Sequence, residues 1–170
     1  MSLKILGFIC VIVGCGSCGF SLAAQHLQRI NFLRDMISAV EYMISEIRYH
    51  CTPLPQLCSQ AANMHNGRVF DVLVCLSEEL SKQNEENAQS CMRCVLEKMK
   101  ELDPWYQNLL WEFGRNIGKF DLAGQMNGLE STHRKLLVEL ENLMENKDNR
   151  MRSYQTLGLC AGAAVAILFV

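Results

Sequence analysis

Two apolar segments bracket this chain and constrain its architecture more than any other feature. Ile5 to Ala24 is a run of 20 residues without a charge, and Tyr154 to Val170 is a second run of 17. Apart from Lys4, every charged residue lies between them. A bilayer core about 30 Å thick takes roughly 17–25 helical residues to cross. The pattern therefore predicts a hairpin through a membrane. It divides the chain into a short tail (1–4), a transmembrane helix (5–24), a helical domain (25–153) and a second transmembrane helix (154–170).

The central part is long enough for one domain with its own core. A net charge of −2 supplies no basic field for nucleic acid. Three prolines in the whole chain, Pro53, Pro55 and Pro104, favour long helices. Nine cysteines are present. Cys10, Cys15, Cys18 and Cys160 fall in the apolar segments, where a thiol serves as a small hydrophobe. The other five, Cys51, Cys58, Cys75, Cys91 and Cys94, are an odd set on helix-like stretches, read as reduced thiols in a cytosol.

The charge bias sets the orientation. Arg29, Arg34, Lys147, Arg150 and Arg152 flank the apolar segments on the domain side, against Lys4 on the other. Lys and Arg near membrane ends favour the cytoplasm, so the domain is expected there. The alternative is an extracytoplasmic lipoprotein or adaptor. Ile12-Val13-Gly14-Cys15 loosely resembles a lipoprotein box with Cys15 as the lipidated residue. Against it, the apolar run continues nine residues past Cys15, longer than a signal core needs.

Within the middle, Ile30, Leu33, Ile37, Val40, Ile44, Ile47 and Cys51 step by 3 and 4, the stripe of a long amphipathic helix. Thr52 is a candidate cap for a short second helix over 54–64, with Pro53 at its first position. Asn66-Gly67 is a turn signal. Val69, Val72, Leu73, Leu76 and Leu80 mark a third helix, and Cys91, Cys94, Val95, Met99 and Leu102 a fourth. Asp103-Pro104 caps and starts a fifth, with Trp105, Leu109, Leu110, Phe113 and Ile117 as its apolar face. Gly118 ends it and Asp121 caps a sixth. The sixth helix shows a stripe at Leu122, Met126, Leu129, His133, Leu136, Leu140 and Leu143. Nothing reads as a strand. The expected fold is all-α, a six-helix bundle between membrane helices.

No catalytic constellation stands out, and neither enzyme activity nor a cofactor is expected. Cys91 and Cys94 form a C-x-x-C, but no second pair at usable spacing completes a four-ligand zinc site, and no strand–helix–strand setting suggests a redox motif. His133 reads as a partnered core residue. Glu78-Glu79 and Glu85-Glu86 read as charge pairs on a solvated face. Trp105 is expected in the core, and Trp111 is a candidate interaction residue.

Two stretches carry a family resemblance. Glu46-Ile47-Arg48-Tyr49-His50-Cys51-Thr52-Pro53-Leu54-Pro55 resembles the signature of the stage III sporulation protein AB family. So does Phe113 to Gln125, which contains Gly114, Gly118, Asp121 and Gln125 in a G-x-x-x-G-x-x-D-x-x-x-Q pattern. The second pattern is shared more widely with helical domains of type II secretion F proteins. Phe120 departs from the small or polar residue usual there. The resemblance implies a membrane platform subunit of the channel-like complex linking mother cell and forespore in endospore formation. It implies a secretion-ATPase-like subunit and other channel-complex subunits as partners, with the domain in the mother-cell cytoplasm. An oligomer is compatible with such a role. The resembled family is not known as catalytic.

Read physically, Thr52, Pro53 and Pro55 make one rigid corner. Gly114, Gly118 and Asp121 make another, and Gln125 sits one turn into the next helix. Glu46, Arg48 and Tyr49 precede the first corner and are, with Trp111, the candidate partner-binding residues.

Overall fold

The computed structural model describes residues 2–82, 87–117 and 123–145, with side chains from residue 24 onward. Among the described residues every regular element is a helix. Helix α1 spans Ser2–His50, α2 Leu54–Ala62, α3 Arg68–Lys82, α4 Ala88–Lys98 and α5 Pro104–Ile117. A sixth helix, α6, covers residues 123–145. Among the described residues no helix is long and apolar enough to cross a membrane. The side chains of 5–23 and the whole of 154–170, where spans are expected, lie outside the described residues.

The chain divides into two compact units, one made of 1–31 with 140–170 and one of 32–139. In the first, the His26 ring nitrogen Nε2 lies 3.1 Å from the Leu143 carbonyl oxygen. The second holds the bundle.

Helix α1 is central because it is apolar on more than one side. Leu33, Ile37, Val40 and Ile47 of the expected stripe are buried. So are Phe32, Met36, Ala39 and Met43, which form a second stripe beside it. A single heptad seam is narrower than this; a helix enclosed by several neighbours needs the wider face. Ile44 is half-buried, and Cys51, at the end of the expected stripe, is exposed.

The remaining helices fold back in sequence, α2 on α3, α3 on α4 and α4 on α5. Their buried residues are Leu57 and Cys58 (α2), Val72, Leu73 and Leu76 (α3), Cys91, Met92 and Val95 (α4), and Leu110, Phe113 and Ile117 (α5). Each large apolar side chain so enclosed contributes about 1.5–3 kcal/mol. Gly67, at φ +67°, makes the turn into α3.

Local signals act as expected at the start of α5. The Trp105 amide donates to Asp103 Oδ1 at 2.8 Å, and Pro104 opens the helix. The aromatic assignments change, however. Tyr106, not Trp105, is the buried ring, with Phe32 and Trp105 edge-on to it at centroid distances of 4.9 Å each. Trp105 is half-buried and donates its indole N–H to Glu139 Oε1 at 3.1 Å.

Candidate functional site

The corner between α1 and α2 is built by backbone conformation and by one carboxylate. Helix α1 stops because Cys51 takes φ +50°, a left-handed conformation uncommon outside glycine, asparagine and aspartate. Pro53 then occupies the cap position of α2 in extended conformation, and its carbonyl accepts the Leu57 amide at 2.9 Å. Pro55 lies in the first turn, where a missing N–H leaves nothing unsatisfied. Thr52 does not cap α2: it lies one residue too early. Its hydroxyl donates instead to Glu46 Oε2 at 3.2 Å. The same oxygen lies 3.4 Å from His50 Nδ1. Glu46 thus ties the last turn of α1 to the chain that leaves it.

Arg48 and Tyr49 point away from this tie. The Arg48 guanidinium is exposed and donates to Glu130 Oε1 of α6 at 3.3 Å. Tyr49 is 74% exposed, an unusual setting for an aromatic ring. Tyr42, two turns earlier, donates to Gln60 Oε1 of α2 at 3.4 Å. Ser77 of α3 donates to the Pro55 carbonyl at 2.8 Å. The corner is therefore held from α1, α2 and α3 and presents a cation and a phenol outward. Sequence reasoning grouped Glu46 with Arg48 and Tyr49 as partner-binding residues. The structure brings the three together and separates their settings: Glu46 is half-buried, the other two exposed.

The second expected corner takes a different form. Gly114 is not at a corner but inside α5, buried against α4. A methyl group there would lie 2.5 Å from Met92 Cβ, so the glycine permits close crossing of two helices. Gly118 and Asp121 lie outside the described residues. Gln125 is half-buried on α6. Trp111 is half-buried, with the Arg93 guanidinium 5.4 Å from its ring centroid. It is not part of the first corner's polar cluster.

Three further features lie outside both corners. Gly128 of α6 is buried, and a methyl group there would lie 1.9 Å from the Asn116 carbonyl oxygen of α5. Beside it the Asn116 amide donates to the buried Thr132 hydroxyl at 3.2 Å. His133 meets Glu41 of α1, Nε2 to Oε1, at 2.9 Å, so it is partnered, though half-exposed rather than core.

The third is Glu79, expected on a solvated face but only 8% exposed. Its Oε1 accepts from Lys82 Nζ at 2.8 Å and from Lys98 Nζ of α4 at 2.5 Å. Hydrogen bonds from Lys82 and then Lys98 hold its carboxyl below the ordinary carboxylate range. The same bond raises Lys98. The Glu79–Lys82 spacing of three was a local signal for half of this clamp.

Cys51, Cys58, Cys75, Cys91 and Cys94 form no disulfide. Burial pushes the Cys58 thiol up to about 12, which leaves it unreactive at neutral pH. Cys75 is also raised, by desolvation first and by Glu78 second. Among the described residues no group of three or more His, Cys, Asp and Glu is arranged to hold a metal ion.

Comparison with known proteins bears on this geometry. The family model for stage III sporulation protein AB matches residues 4–170. Stage III sporulation protein AB of Bacillus subtilis (strain 168) is 23% identical over 171 residues, 99% of each chain. A solved structure of a stage III sporulation protein AB aligns with a TM-score of 0.62 at 22% identity, covering 72% of this chain and 98% of that one; it supports the fold alone. With the family match spanning nearly every residue, the chain belongs to the stage III sporulation protein AB family, and its role is in sporulation.

Proposed function

We propose that the chain is a non-enzymatic platform subunit of the complex that connects mother cell and forespore, and that its α1–α2 corner docks a secretion-type ATPase. The family is not a known enzyme family. The observation that carries the docking reading is the corner itself. Arg48 and Tyr49 are exposed on a site braced by Glu46, Thr52 and the Pro53–Leu57 turn. Arg and Tyr are enriched among protein–protein hot spots, Tyr for its large rigid contact area and Arg for its multiple donors.

The platform is held in the membrane by residues 5–24 and 154–170. At 1.5 Å per residue, 20 uncharged helical residues span about 30 Å, one hydrocarbon thickness. The flanking arginines and lysines favour the mother-cell cytoplasm for the bundle, with the outer forespore membrane as the anchor. Other subunits of the complex assemble with it there.

The test uses the full chain in detergent micelles and the purified sporulation ATPase. Wild-type chain captures the ATPase, and Arg48→Ala with Tyr49→Ala abolishes capture while helicity is retained. Equal capture by that variant refutes docking at this corner. Mass spectrometry of the amino terminus tests the anchor: a chain beginning at a lipidated Cys15 would place the bundle outside the cytoplasm and overturn both readings.

A further inference from the structure

Two Asn-Gly pairs occur in the chain, Asn66-Gly67 and Asn127-Gly128. Both asparagines are exposed, so access to water does not distinguish them. Their backbones do. Asn66 lies between α2 and α3, outside any helix, and Gly67 stands at φ +67°. Nothing lies within 4 Å of the place where a Gly67 Cβ would be. The Gly67 carbonyl accepts the Asp71 amide at 3.0 Å, and among the described residues no backbone carbonyl accepts the Gly67 N–H.

Asn127 is inside α6. There a backbone N–H is aimed along the helix at the carbonyl four residues back. Gly128 is also buried, with the Asn116 carbonyl oxygen 1.9 Å from the place of a Cβ. The same dipeptide thus stands once in an open turn and once in a closed helix crossing.

We propose that Asn66 is a site of spontaneous deamidation and isoaspartate formation in the folded protein, and that α6 protects Asn127. The Gly67 nitrogen gives its proton to a solvent base and attacks Asn66 Cγ. A C–N bond forms and closes a succinimide. The Cγ–Nδ2 bond breaks, and the side-chain nitrogen leaves as ammonia with a proton from water. A water molecule then opens the ring at one carbonyl to give aspartate, or at the other to give isoaspartate. Glycine suits the step because it has no Cβ to block the approach and its backbone turns freely. At Asn127 the same rotation requires local unfolding of α6. Either product puts a carboxylate beside the start of α3, where the helix dipole favours negative charge. The isoaspartyl form also lengthens the turn between α2 and α3 by one methylene. None of this depends on ATPase docking at the corner.

The test is peptide mapping by mass spectrometry of the full chain in detergent, held in mildly alkaline buffer. A parallel sample is unfolded in guanidinium, and both are followed until half of each asparagine in the unfolded sample has converted. In the folded chain Asn66 converts at least about tenfold faster than Asn127, because only Asn127 must wait for local opening. In guanidinium the two rates converge. Isoaspartyl and aspartyl peptides both appear at position 66, whereas direct hydrolysis of the amide yields aspartate alone. Gly67→Ala slows conversion at Asn66, and Asn66→Gln removes it. A smaller ratio in the folded chain, or a ratio that guanidinium leaves unchanged, overturns the proposal. So does a product without isoaspartate, or a rate at Asn66 that Gly67→Ala does not lower.

Discussion

At Gly128 the α6 backbone lies so close to the Asn116 carbonyl that a methyl group would stand 1.9 Å from the oxygen. At the α1–α2 corner an exposed guanidinium reaches a carboxylate on α6 at 3.3 Å. Both contacts join α6 to a neighbouring helix, and they do so by opposite means. The first is steric and leaves no freedom. The second is electrostatic, wet and replaceable. The contrast teaches where this protein stores stability and where it keeps side chains available. Glu79 lies between the extremes: a carboxylate nearly removed from water, but held by two lysines whose own side chains remain about half exposed.

The steric side breaks most easily. Gly128→Ala places Cβ against backbone atoms, which cannot rotate away, and is expected to destabilise the bundle by about 2–3 kcal/mol. Thermal unfolding of the variant checks this; an unchanged midpoint would mean that α6 does not approach α5 so closely.

Glu79 sharpens the comparison through pH. Its folded pKa is depressed, so it contributes stability that is fully present above the unfolded value, about 4.3, and is lost as pH falls through the lower folded value. Glu79→Gln removes that dependence. Urea midpoints measured from neutral pH down into the acid range are expected to fall further for wild type than for the variant. Parallel curves would show that Glu79 is not clamped.

The cap of α5 is a smaller, local effect. Asp103→Ala removes the acceptor for the Trp105 amide and costs about 1 kcal/mol. Asp103→Asn, which keeps an acceptor oxygen, recovers most of it.

Arg48→Ala is expected to cost the least, below about 1 kcal/mol, because an exposed ion pair gains little over hydrated charges. Under the docking proposal it is nonetheless expected, when combined with Tyr49→Ala, to abolish ATPase capture. A large loss of stability at Arg48 would collapse the distinction between the two kinds of contact.

The same distinction explains what could be read from the residues. Asp103-Pro104 and Asn66-Gly67 act within a few residues of themselves, and both were legible. The long stripe of α1 was legible in phase but not in width. Whether Phe32, Met36 and Met43 are also covered depends on how many helices surround α1, which no local period states. Gly114 was noticed but assigned to a corner, and Gly128 was not noticed, because a glycine's local meaning is a turn. Its role as a gap between two helices depends on what the other helix brings, here Met92 and Asn116. Glu79 failed for the same reason: Lys98 is 19 residues away and arrives only with the fold. Thr52 shows the reverse error. A capping residue type beside a proline reads as a cap, whereas Pro53 itself occupies the cap position and α2 starts at Leu54. Of the candidate docking residues, the sequence placed Glu46, Arg48 and Tyr49 together at the end of one helix; only the fold separated Glu46, half-buried and bonded to Thr52, from Arg48 and Tyr49, which are exposed.

The fit at Gly128 also makes axial sliding of α6 along α5 asymmetric. One helical turn before Gly128 stands Gly124, and one turn after it stands Thr132. A load that drew Gly124 toward the Asn116 carbonyl would bring another residue without Cβ into the gap. A load in the opposite sense would drive a β-branched side chain into backbone. Sliding of α6 along α5 is therefore opposed by a side chain in one axial sense and by none in the other.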